Sequence, residues 1–186
     1  MEDFEIVELY WDRNQEAISA TADKYGKYCS VIARNILGNE EDVKECVNDT
    51  YLSVWNSIPP QRPVYLSAFL GKITRNLALN IYKREHAHKR GGGQIAGVYE
   101  ELAECVSGTD SVEQELCRQE LVKAIDTFLE TLSVKKRNIF ICRYWYFESV
   151  STIAKRFGMT ENSVSVTLNR LRGRLQKYLT ERGYEL

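Results

Sequence analysis

The chain has 186 residues, 44% hydrophobic and 27% charged, a length for one domain or two small ones and a composition that excludes wholesale disorder. No apolar run reaches the ~18–20 residues of a spanning helix, and Met1 to Arg13 is acidic where a signal peptide is basic and then apolar, so a cytoplasmic protein without membrane insertion is expected. The net charge of −1 separates into four blocks: residues 1–60 hold 5 basic and 12 acidic side chains, 61–90 hold 7 and 1, 91–130 hold 2 and 9, and 131–186 hold 11 and 4.

Three prolines, Pro59, Pro60 and Pro63, leave most of the chain free of the strongest helix breaker, and the pattern predicts an all-α protein. Ile6, Leu9 and Tyr10 mark a short helix; Ala17, Ile18, Thr21, Tyr25, Tyr28, Cys29, Ile32 and Ile36 mark a longer one ending near Gly38. Asn39 is placed to cap the next, whose stripe is Val43, Cys46, Val47, Thr50, Tyr51, Val54, Trp55 and Ile58, with Glu41, Lys44, Glu45, Asn48, Asp49 and Leu52 elsewhere on the circumference. A loop from Asn56 to Val64 leads into a helix with the stripe Leu66, Phe69, Leu70, Ile73, Leu77 and Ile81. Lys72, Arg75, Asn76, Leu79 and Lys83 fall on its opposite side, a single positive stripe.

Gly91-Gly92-Gly93 opens a polar, acidic stretch to about Asp110 that reads as a linker, so two small helical domains are expected at 1–90 and 111–186, joined by residues 91–110. The second domain opens with Ser111 in a capping position, followed by Val112, Leu116, Leu121, Ile125, Phe128 and Leu129. Ser133 is placed to cap a helix with Val134, Phe140, Ile141 and Tyr144 as core candidates. Ser149 to Phe157 is a helix of barely two turns stopped by Gly158, and Thr160 caps the last helix, with the stripe Val164, Leu168, Leu171, Leu175 and Leu179.

A short helix with Ile153-Ala154 at its centre, the turn Gly158-Met159-Thr160 and a longer capped helix make the helix-turn-helix pattern; the alternative is a plain αα-hairpin of a bundle. The outer face of the second helix favours the former. With Val164 at zero, Asn162, Val166, Asn169, Arg170, Gly173 and Lys177 lie between about 140° and 240°. Asn and Arg make paired hydrogen bonds to adenine and guanine edges and a valine meets a thymine methyl, while Ser163, Ser165, Lys155 and Arg156 suit phosphates.

The five cysteines (Cys29, Cys46, Cys105, Cys117, Cys142) are odd in number and never in a CxxC pair, so buried free thiols are expected. His86 and His88 stand in a basic run without a second ligand pair, so no metal site is expected, nor any cofactor or catalytic residue. Two basic blocks suit a polyanion touched at two places, and acidic blocks suit a basic protein partner; charge runs are also simply solvated helix faces.

Asp42-Val43-Lys44-Glu45-Cys46-Val47-Asn48-Asp49-Thr50-Tyr51-Leu52-Ser53-Val54-Trp55 and Ala68-Phe69-Leu70-Gly71-Lys72-Ile73-Thr74-Arg75-Asn76-Leu77-Ala78-Leu79-Asn80 resemble region 2 of bacterial sigma factors of the extracytoplasmic-function (ECF) group. Phe140-Ile141-Cys142-Arg143-Tyr144 and the helix-turn-helix from Ser149 to Leu175 resemble their region 4. The resemblance implies an RNA polymerase specificity subunit, in which Asp42, Glu45, Asn48 and Asp49 correspond to the docking surface for core polymerase. Lys72, Arg75, Asn76, Asn80, Lys83 and Arg84 correspond to the face that holds the opening minus-ten element. The loop Pro59 to Tyr65 occupies the place where the family captures a flipped base; Gln61 or Arg62 is positioned to hydrogen-bond it, and Tyr65 either stacks on it or packs in the core.

On the same resemblance, Lys155, Arg156, Asn162, Ser163, Ser165, Val166, Asn169 and Arg170 meet the minus-thirty-five element. An anti-sigma factor is the expected inhibitor, and the free chain is expected to be a monomer. The chain departs from the family in its Pro-Pro-Gln-Arg-Pro loop, in Ser133 where a proline is common, and in a stretch to about Gln15 longer than the family minimum. The linker reaches at most roughly 65–70 Å when extended, enough for two domains on separate promoter elements. A stand-alone helix-turn-helix repressor explains residues 131–186 but gives the first basic stripe no work. A nuclease or recombinase would need a carboxylate cluster that the basic faces lack, and a pure protein-interaction module would bind no DNA.

Overall fold

The computed structural model describes residues 1–86, 97–98, 101–102 and 114–184, with the backbone alone at 86 and 114–119. Gly91–Gly93, His88, Cys105, Ser111 and Val112, and the side chains of His86, Leu116 and Cys117, lie outside the described residues. The chain divides into two compact units, Met1–Gly91 and Gly92–Leu186, and all the secondary structure described is helical.

The first unit contains α1 (Asp3–Trp11), α2 (Glu16–Ile36), α3 (Glu40–Ser57) and α4 (Leu66–His86), and α2, α3 and α4 pack mutually. Local chemistry starts these helices where the sequence places them. The Asn14 side chain accepts from Glu16 N–H (2.9 Å), and Asn39 accepts from Glu41 N–H (3.0 Å), each satisfying a donor that the first helical turn leaves unpaired. Ile32, Ile36, Val43, Cys46, Val54, Leu66 and Leu70 form the core.

Polar pairs inside that core set how the helices face. Thr74 Oγ1 donates to the Leu70 carbonyl of its own helix, and the single Thr50 hydroxyl proton is shared between the Cys46 carbonyl (2.8 Å) and Thr74 Oγ1 (3.2 Å), which ties α3 to α4. Tyr10 Oη and Thr21 Oγ1, 2.9 Å apart and buried, tie α1 to α2. At Gly71 a Cβ would stand 2.6 Å from Tyr28 Oη, so α2 and α4 approach more closely there than an alanine permits without movement. The segment before Gln15 is therefore part of this unit, with Ile6, Val7 and Tyr10 buried.

The second unit contains α5 (Gln114–Glu130), α6 (Val134–Tyr144), α7 (Val150–Phe157) and α8 (Glu161–Thr180); α8 packs against each of the other three. Within the stretch expected as a linker, residues 97–98 and 101–102 are helical.

Four expectations need correction. Val134 is 68% exposed rather than core; it stands about 120° around α6 from Phe140, and Ile139 and Cys142 are buried instead. Ser133 holds the cap position of α6, but its hydroxyl makes no cap bond; Arg137 secures that junction by donating to the carbonyls of Leu129 (2.8 Å) and Glu130 (3.1 Å). Leu79 is 7% exposed although the wheel puts it among the basic residues of α4, because sheltering a leucine from water is favourable and costs no hydrogen bond. Tyr65 is not core: it is 73% exposed. Cys29, Cys46 and Cys142 are buried free thiols as expected.

Candidate nucleic-acid interface

In the first unit, Lys72, Asn76, Asn80 and Lys83 are exposed and fall within about 80° of one another on α4, so they share one face. Arg84 is exposed on the flank, and Arg75 is half-buried and engaged by neighbours in the chain. The loop before α4 presents Gln61, Val64 (83% exposed) and Tyr65 to solvent. Arg62 points elsewhere: its guanidinium pairs with Glu8 and lies 5.1 Å from the Trp11 ring centroid, both on α1.

On α3, Glu45 and Asn48 are exposed and Asp42 and Asp49 half-buried, opposite the stripe of Val43, Cys46, Val47, Thr50 and Val54. Leu52, 58% exposed, stands on the same face as Glu45 and Asn48, giving that acidic surface an apolar element.

In the second unit the helix-turn-helix takes the form its residues dictate. Ser149 accepts from Thr152 N–H (3.1 Å) at the start of α7. Gly158 ends the helix in the left-handed region at φ 61°, a conformation that costs a side-chain-bearing residue dearly. Thr160 then accepts from Ser163 N–H (3.1 Å) to start α8. Val164, Leu168, Leu171, Leu175 and Leu179 are buried along α8, leaving Asn162, Ser163, Ser165, Val166, Asn169 and Arg170 exposed.

Lys155 and Arg156 are exposed at the end of α7, where Arg156 pairs with Glu148 (2.8 Å). Ser163 Oγ accepts from Thr160 Oγ1 (2.8 Å), and Asn169 Oδ1 accepts from Arg172 (3.3 Å).

Behind this face lies a charged cluster that the sequence reading missed. The Glu101 carboxylate accepts from Arg143 Nη2 (2.6 Å), Tyr144 Oη (3.1 Å) and Arg172 Nη1 (3.3 Å). Burial acts to raise the Glu101 pKa, but the hydrogen bonds from Arg143 and Tyr144 and the charges of Arg143 and Arg172 outweigh it and hold it below the ordinary value. Glu148 goes the other way: burial raises its pKa, only partly offset by Arg156, and its Oε2 is buried without a hydrogen-bond partner. The available signal was Arg143, a charge inside the apolar run Ile139 to Tyr144. Among the described residues no group of His, Cys, Asp and Glu is arranged to hold a metal, and no helix is long and apolar enough to cross a membrane.

The family model for Sigma-70 region 2 matches residues 23–88, which include α3, the loop and α4 up to His86. The model for Sigma-70 region 4 matches residues 123–175, which include the helix-turn-helix, and together the two span more than half of the chain. The chain belongs to the sigma-70 family. A region 2 domain followed by a region 4 domain is typical of its ECF group, to which this chain is assigned. It is a sigma factor for promoter-specific transcription, in a family of non-enzymatic regulators. Comparison with curated proteins finds no match. Among solved structures the chain is similar to CnrH in complex with the cytosolic domain of CnrY, with 20% identity, 96% of this chain and 97% of that chain covered, and a TM-score of 0.43.

Proposed function

We propose that this sigma factor acts in the cytoplasm and docks on core RNA polymerase through the α3 face of Asp42, Glu45, Asn48 and Asp49. It then holds the opening minus-ten element with Lys72, Arg75, Asn76, Asn80, Lys83 and Arg84, while the loop carrying Gln61, Arg62 and Tyr65 receives a flipped base. Unstacking a base costs a few kcal/mol, which stacking on an aromatic ring and hydrogen bonding in a pocket offset. Exposed Gln61 and Tyr65 beside a cationic helix face supply both kinds of contact.

At the minus-thirty-five element, Lys155, Arg156, Ser163 and Ser165 position α8 on phosphates, and Asn162, Val166, Asn169 and Arg170 read base edges. The observation that carries the reading is α8 itself, capped by Thr160, buried along its leucine stripe and open along Asn162, Val166 and Arg170. Family membership supports core polymerase and promoter DNA as partners, and an anti-sigma factor is the inhibitor we propose.

The test mixes the purified chain with bacterial core polymerase and a library of promoter-length fragments and sequences the run-off transcripts. Specific starts that depend on the chain, sharing two spaced elements, are the expected result. Tight duplex binding by the chain alone, without polymerase association, would instead establish a stand-alone repressor.

A further inference from the structure

Helix α1 lies outside the matched region 2 segment, yet it contacts the loop between α3 and α4, and the turn after it contacts the end of α3 that leads into the loop. Before the loop, Arg13 just past α1 donates to the Trp55 carbonyl (2.7 Å) and sits 5.3 Å from the Trp55 ring centroid. Within it, Arg62 pairs with Glu8 and covers the Trp11 ring. At its N-terminal end α1 is fixed to α2, where the Asp3 carboxylate accepts from Tyr25 Oη (2.5 Å) and pairs with Lys24 (2.8 Å). The rest of α1 is anchored by Ile6 and Tyr10, each 0% exposed.

An eight-residue link with exposed Gln61, Val64 and Tyr65 has no buried side chain of its own between Ile58 and Leu66 to set its shape. Contacts from α1 and the turn after it supply what the loop's own packing does not, and they hold Arg62, the one cation of the loop, against α1.

We propose that α1 is a brace that sets the base specificity of the minus-ten loop, with Arg62 a positioning residue held by Glu8 and Trp11 rather than a base contact. The proposal rests on the reading of that loop as the base-capturing element. Discrimination between bases then falls to Gln61, Val64 and Tyr65, whose geometry is only as well defined as the brace makes it.

The test uses the full chain with core polymerase and fragments randomised across the melted minus-ten strand, with bound fragments sequenced to give a base preference at each position. Glu8→Gln, Trp11→Leu and Arg62→Gln are each expected to flatten the preference at the same position by about two- to fivefold, the size of one exposed ion pair or cation–π contact. The Glu8→Gln/Arg62→Gln double variant should be no flatter than Arg62→Gln alone, because losing the guanidinium already removes the pair with Glu8. Melting curves separate this from misfolding, since a loss of fold lowers binding to all sequences alike.

Flattening by Arg62→Gln while Glu8→Gln leaves or sharpens the preference would overturn the brace and make Arg62 a direct contact. If Gln61→Ala and Tyr65→Ala also leave the wild-type preference untouched, the loop reading itself fails, and the brace with it.

Discussion

Replacing Glu101 by Gln removes one negative charge from between two guanidinium groups while keeping the side chain's shape and one acceptor. Arg143 and Arg172 have side chains only 10% and 18% exposed, and the carboxylate is 31% exposed. Breaking a fully buried ion pair costs about 3–5 kcal/mol, whereas an exposed pair contributes under about 1 kcal/mol. Partial exposure and the retained amide oxygen place this site between them, at about 2 kcal/mol, or roughly thirtyfold in a local opening equilibrium.

Hydrogen exchange read by mass spectrometry should show that loss of protection in α6 and α8, with α3 and α4 unchanged. The wild-type advantage should also depend on pH with a definite sign. The folded Glu101 pKa lies below its ordinary value, so its stabilisation is complete above the carboxylate range and disappears as pH falls through the lowered value. Exchange in α6 and α8 that stays within about threefold of wild type near pH 7, or a difference that does not shrink under acid, would refute the assignment of the cluster as a support for α8.

Glu148→Gln should leave melting unchanged or raise it near pH 7, because it relieves a buried carboxylate whose raised pKa makes its ionised form a liability; calorimetry across pH should show wild type drawing level as acid protonates Glu148. The same change frees Arg156 from its pair, so duplex affinity should rise and its salt dependence steepen when measured by titration in increasing salt. Gly158→Ala should cost about 1–2 kcal/mol in denaturant unfolding, purely from backbone strain at φ 61°, since nothing lies within 4 Å of the added Cβ. Lys72→Glu with Lys83→Glu should reduce permanganate reactivity of the opened promoter more than association with polymerase, and equal reactivity would remove that stripe from the interface. Arg170→Ala should relax preference at one upstream base pair by about 1–3 kcal/mol in competition binding, whereas a uniform loss across sequences would make Arg170 a phosphate contact.

Local order in this chain was legible because it depends on residues three or four apart. The leucine stripe of α8, the cap at Asn39, and the Gly158 and Thr160 pair that shapes the helix-turn-helix are all decided within two turns of chain, and each stands where periodicity and capping chemistry place it. The same locality made the outward faces of α4 and α8 readable, apart from Leu79, since exposure on a helix is mostly the complement of its apolar stripe.

Pairings between distant residues were not legible. Glu8 meets Arg62 across 54 positions and Glu101 meets Arg172 across 71, and no periodicity within a helix reports which side chain of another element will arrive opposite it. Arg62 read as a free cation in a loop because its partner lies on a helix whose docking depends on Ile6, Tyr10 and Thr21. Helix identity, helix ends and the exposed basic faces thus follow from the sequence by short-range sterics and amphipathicity, while tertiary packing decides which of the charges on those faces are open to a ligand and which are already held by another helix.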